Sequence, residues 1–86
     1  MKDWHFPLIN PVQEFPIGHF LDHISLEIEE VKQEPDDFKR AKEVVDVLHA
    51  AETFCRKYFQ QNTEFTFEQI RDMVIEKNRT RGYYDY

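Results

Sequence analysis

Residues 36–61 read DDFKRAKEVVDVLHAAETFCRKYFQQ, and the placing of their apolar side chains decides the fold. Phe38, Ala41, Val44, Val45, Val47, Leu48, Ala50, Ala51, Phe54, Cys55, Tyr58 and Phe59 recur at helical intervals and cover most of the circumference. A helix that is apolar nearly all round is expected to be central and buried. Asp36 or Asp37 is placed to cap its start, where a short acceptor satisfies amides that lack an intrahelical partner. Asn62 and Thr63 are expected to end it.

Upstream, Ile17, Phe20, Leu21, Ile24, Ile28 and Val31 form one apolar stripe at helical spacing. Pro16 suits the first turn of that helix, where its missing N–H costs nothing. Pro35 disfavours helical geometry in Glu34 and so predicts the stop. Downstream, Thr66-Phe-Glu-Gln69 has the spacing of a capping box. Phe67, Ile70, Met73 and Val74 follow as an inward face, and Gly82 stands as a C-terminal stop beyond Arg81. Residues 1–16, MKDWHFPLINPVQEFP, carry prolines at 7, 11 and 16 and are read as an extended arm. The arm also holds Trp4, Phe6, Leu8, Ile9 and Phe15, so it is expected to pack against something.

The predicted fold is therefore all-α: a three-helix domain over 17–86 behind an arm over 1–16. At 86 residues the chain fits one domain, and a domain of this size buries only about 60% of the surface its unfolded chain exposes. Three helices make a thin core. A four-helix-bundle-like core completed by oligomerisation, as a homodimer or homotetramer, is the expected remedy.

A formal charge of −6, with 17 acidic against 11 basic residues, argues against a nucleic-acid polymer as partner, since its phosphates demand a basic patch. It leaves a nucleotide open, because divalent cations bridge acidic groups to phosphates. The single cysteine, Cys55, has no partner for a disulfide and reads as a buried structural thiol. No apolar run resembles a signal peptide or spans a bilayer, so a cytoplasmic protein without membrane association is expected.

Two acidic pairs bear on chemistry. Glu27 and Glu30 stand three apart on the first helix, and Glu43 and Asp46 repeat the spacing on the second. A short loop makes the two helices antiparallel and so neighbours. One such pair is ordinarily a solvated face, and Glu29, Lys32, Gln33 and Glu34 give this helix an ordinary wet side. Two pairs on adjacent helices, one of them mostly apolar, would repel strongly. A cation such as Mg²⁺, which prefers oxygen ligands, relieves that conflict.

Glu27-x-x-Glu30, twelve intervening residues and Glu43-x-x-Asp46 resemble the signature of the MazG-like, all-α nucleoside triphosphate pyrophosphohydrolases. Ile24-Ser-Leu-Glu-Ile-Glu-Glu-Val31 and Glu43-Val-Val-Asp-Val-Leu-His-Ala-Ala-Glu52 are similar to the two acidic segments. Glu76-Lys-Asn-Arg-Thr-Arg-Gly-Tyr-Tyr84 resembles the family's basic tail. The chain departs from the pattern at its start, where a proline-broken arm replaces the usual first helix.

The resemblance implies hydrolysis of a nucleoside triphosphate to the monophosphate and pyrophosphate. Mg²⁺, or Mn²⁺ in its place, would be held by Glu27, Glu30, Glu43 and Asp46, with Glu30 and Glu43 the catalytic carboxylates. Lys77 and Arg81 would clamp phosphates, Asn78 would meet a phosphate or sugar oxygen, and Tyr84 would stack on a base or cover an interface. Trp4, with His5 and Phe6, offers either a stacking surface for the base or a packing anchor. The other reading is a catalytically inactive helical module that binds a nucleotide or protein on the same scaffold. Asp46-x-x-His49 resembles one arm of a di-iron carboxylate site, but His19 and His23 have no acid three residues before them to complete the second.

Overall fold

A computed structural model describes residues 4–7, 16–61 and 64–84. The described chain is all-α: α1 spans Ile17–Gln33, α2 spans Asp37–Gln61 and α3 spans Phe67–Thr80. The extended arm predicted over 1–16 is described at Trp4–Pro7, which are non-helical. The predicted break at Asn62 and Thr63 lies outside the described residues.

The helix ends follow local chemistry. Pro16 sits just outside α1 as its N-cap, one position short of the first turn, with extended backbone. At the other end Glu34 turns extended ahead of Pro35, its N–H still donating to the Glu30 carbonyl at 3.1 Å. The Arg40 guanidinium then donates twice to the Glu34 carbonyl, at 2.9 and 2.7 Å, satisfying an oxygen the helix leaves orphaned. Asp36 caps α2, its carboxylate accepting the Lys39 N–H at 2.8 Å. The turn between α1 and α2 is thus tied from both sides.

At α3 the predicted capping box is complete: the Gln69 N–H donates to Thr66 Oγ1 at 3.1 Å and the Thr66 N–H to Gln69 Oε1 at 2.7 Å. Gly82 ends the helix with φ +79°. Its N–H donates to the Arg79 carbonyl and the Tyr83 N–H to the Asn78 carbonyl, both at 3.0 Å, the paired bonds of a Schellman motif.

α1 and α2 form the extensive helix–helix interface of the described chain. Phe20 on α1 and Ala50 on α2 are the buried apolar residues. The expectation of a buried, central α2 needs correction. Val44, Val45 and Leu48, on the side turned from α1, are 48–51% exposed. A helix sheathed in apolar residues needs neighbours on every side, and α1 covers one.

Cys55 is likewise half-buried instead of buried. Of the inward face expected on α3, Phe67 and Ile70 are half-buried while Met73 and Val74 stay exposed. α3 meets the pair near its beginning, where Phe67 lies 5.7 Å from Phe59, ring centre to ring centre, and it does not pack along α1 or α2. The radius of gyration is 15.1 Å, against about 12 Å for a compact chain of this length. No described helix is long and apolar enough to cross a membrane.

Candidate metal centre

The antiparallel packing of α1 and α2 sets the two acidic pairs side by side. A carboxylate oxygen from each of Glu27, Glu30 and Glu43 lies within 4.8 Å of the other two. Oxygens held about 2.1 Å from one Mg²⁺ stand about 3.0 Å apart in cis and about 4.2 Å in trans, so side-chain movement would draw the triad in around an ion. Asp46 is a turn further along α2, outside that triad, yet its charge acts on both Glu27 and Glu43.

Mutual repulsion outweighs the one opposing contact at Glu27. Burial, then the charge of Glu30, holds the Glu27 carboxyl above the ordinary carboxylate range, with Asp46 adding to the effect. His23 opposes it, its Nε2 lying 3.3 Å from Glu27 Oε1 one turn back on α1. Glu43 is raised as well, first by its hydrogen bond with Glu30, then by burial and by the charges of Glu30, Asp46 and Glu27. The second oxygens of Glu27 and Glu43 are shut from solvent without a hydrogen-bond partner. Buried acceptors left unpaired are costly. Orphaned oxygens, mutual repulsion and an all-oxygen donor set fit a hard divalent cation.

The basic residues expected to act with these acids stand elsewhere. Lys77 and Asn78 are on α3, with Arg81 at its C-cap and Tyr84 just beyond. α3 leaves the α1–α2 pair near Phe59, which is thirteen residues past Asp46, about 20 Å of helix rise. No basic residue of α3 is among the charges acting on Glu27 or Glu43. Within one chain the fold brings the carboxylates together but does not bring Lys77, Asn78 and Arg81 to them.

Trp4 is held in packing. The Arg56 guanidinium lies 5.2 Å over its ring, and the Phe67 ring centre is 5.0 Å away. Arg56 is ten residues past Asp46 on α2.

Sequence reasoning missed what holds the arm. Glu52, buried at 9% exposure on α2, accepts the His5 N–H at 2.9 and 3.0 Å on its two oxygens and the Phe6 N–H at 3.2 Å. His5 Nδ1 lies 2.7 Å from Glu52 Oε2. Arg56 donates to the Phe6 carbonyl at 2.7 Å, and the Phe6 ring stacks on His49 at 4.5 Å and 17°. Burial pushes the Glu52 carboxyl up, but the hydrogen bonds from His5 and Phe6 outweigh it and hold the group below its ordinary range. The available signal was a lone carboxylate among Ala50, Ala51, Phe54 and Cys55, in a chain whose arm has aromatics at alternate positions. His49 packs against the arm, and its Nε2 is buried without a hydrogen-bond partner.

No protein-family model, curated protein or solved structure matches this chain.

Proposed function

We propose that the chain is a Mg²⁺-dependent nucleoside triphosphate pyrophosphohydrolase of the MazG-like kind, Mn²⁺ serving in place of Mg²⁺, acting on the cytoplasmic nucleotide pool. The observation that carries this reading is the convergence of Glu27, Glu30 and Glu43 from two helices, with two buried carboxylate oxygens lacking partners. Glu27, Glu30 and Glu43, with Asp46 a turn along α2, would hold the ion. A divalent ion so placed neutralises charge on phosphate oxygens and acidifies bound water.

The chain's own carboxylates provide the proton chemistry. Glu30 and Glu43 stand within hydrogen-bonding reach of each other, which holds the Glu43 carboxyl above its ordinary value and makes its carboxylate a better proton acceptor. Glu30 takes the proton of the attacking water, and pyrophosphate leaves the α-phosphorus.

The active form is a homodimer or homotetramer. The chain exposes 6720 Å², about 1,300 Å² more than a compact monomer of its mass, which exceeds the about 800 Å² that each partner buries in a standard interface. Val44, Val45 and Leu48 are among its exposed apolar side chains. Association also offers a way for Lys77, Asn78, Arg81 and Tyr84 to meet carboxylates that they do not reach in one chain.

The deciding experiment is pyrophosphate release from a panel of dNTPs with Mg²⁺, with Glu43→Gln alongside. Turnover by the native chain, reduced at least about a hundredfold in the variant, is expected. A second reading, a module that binds metal and nucleotide without turnover, is favoured by the separation of α3 from the carboxylates. Calorimetric nucleotide binding with no pyrophosphate released, from folded oligomeric protein, replaces the enzyme by that module.

A further inference from the structure

Trp4–Pro7 lie on α2 in an unusual way. The bonds that hold them go largely to main chain: Glu52 takes two successive amide hydrogens, and Arg56 binds the Phe6 carbonyl. Side chains add a ring on either flank. Phe6 stacks on His49, and Trp4 sits between Arg56 and Phe67. Because the partners descend α2 from Arg56 through Glu52 to His49 as the arm ascends from Trp4 to Phe6, the segment runs antiparallel to the helix. Phe6 stands at a bend, and a bend is what turns two consecutive amides towards one carboxylate.

Trp4 reaches past α2 to α3. It meets Phe67 at 5.0 Å, and Phe59 meets the same ring at 5.7 Å and 85°. α3 lacks an extended interface with α1 or α2, so ring contacts near its first residue are a large part of what orients it.

We infer that the Glu52–Arg56 row of α2 is a docking site for a bent aromatic segment, filled by this chain's own Trp4–Pro7, and that its occupancy holds α3 in place. Glu52 is the residue on which the hold depends. Glutamine at 52 keeps one acceptor oxygen but puts an N–H₂ where the second carboxylate oxygen meets the His5 N–H and imidazole. The device is a strap whose far end carries the ring that wedges α3. It goes beyond the enzyme reading and does not depend on it, since no proposed metal ligand takes part.

Trp4 is the chain's single tryptophan, so its fluorescence reports the strap, and amide hydrogen exchange over residues 67–80 reports α3. In the full-length protein, Glu52→Gln is expected to shift Trp4 emission to the red. Exchange in α3 should rise about tenfold while α1 and the first half of α2 keep their protection. His5→Pro, which removes one clamped N–H and the imidazole without altering α2, is expected to do the same, and it decides the matter if Glu52→Gln loses its helical circular dichroism. Trp4→Ala is expected to loosen α3 with the Glu52 bonds kept. Unchanged Trp4 emission in both Glu52→Gln and His5→Pro overturns the docking site. A red shift with unaltered α3 exchange overturns the hold on α3. Loss of metal binding or turnover in the native protein leaves each of these outcomes readable.

Discussion

Two carboxylates in the α1–α2 cluster, Glu27 and Glu43, have an electrostatic cost whose sign can be measured. Glu27 and Glu43 titrate above the ordinary value of 4.5 in the folded chain. The folded state therefore binds more protons than the unfolded one between about pH 4.5 and the raised values. Metal-free stability is expected to be fullest below that window and to fall as pH rises through it. Saturating Mn²⁺ should flatten or reverse the slope, because the ion replaces the protons. Thermal melts from pH 4 to 8, with and without Mn²⁺, check both halves. Glu43→Gln removes one repelling charge, so it should raise the metal-free melting temperature while weakening Mn²⁺ binding at least about tenfold. A variant less stable without metal and equally responsive to it would show that the carboxylates do not share an ion. Glu52 has the opposite sign: its folded value is depressed, so its contribution is present above about pH 4.5 and lost as pH falls through the folded value.

At the scale of elements, the helices are closed by caps whose worth is testable one at a time. Gly82 sits at φ +79° with open space around it, so Gly82→Ala incurs only the backbone cost of a left-handed conformation, about 1 kcal/mol. Thr66→Ala removes the acceptor for the Gln69 N–H and should cost about 1 kcal/mol as well. Urea unfolding measures both, and cap variants within a few tenths of the native chain would show that α3 contributes little to the cooperative unit. These caps were legible in residue order because a cap is a local bargain between one side chain and amides within four residues. The strap was not legible. His5 and Glu52 are 47 residues apart, and nothing in either neighbourhood names the other.

For the whole molecule, the exposed apolar side of α2 is the deciding feature. Val45→Glu with Leu48→Glu should leave a monomer's stability within about 0.5 kcal/mol, since both side chains are already about half-exposed. In an oligomer sealed by that face the same pair should lower the sedimentation coefficient to that of a single chain and lower the melting temperature. It should also remove the native protein's rise in melting temperature with concentration. A native chain that sediments as a monomer at all concentrations tested would reject the oligomer. The Rg of 15.1 Å belongs to a chain whose third helix stands away from the first two, so what covers this surface also decides whether Lys77 and Arg81 meet the carboxylates.

What residue order determined by itself were the features carried by short-range periodicity and stereochemistry: three helices, their ends at Pro35, Thr66 and Gly82, and two acidic pairs each facing one side. These follow from a 3.6-residue turn and from φ limits that hold wherever the chain finds itself. Only the tertiary structure decided that Glu27, Glu30 and Glu43 share one small volume and that Glu52 grips the arm. It also decided that α2 has an open apolar side and that α3 stands apart from α1. Convergence of groups distant in sequence depends on how rigid helices cross, and that geometry is set by the sum of many weak packing contacts, which no single stretch of residues encodes.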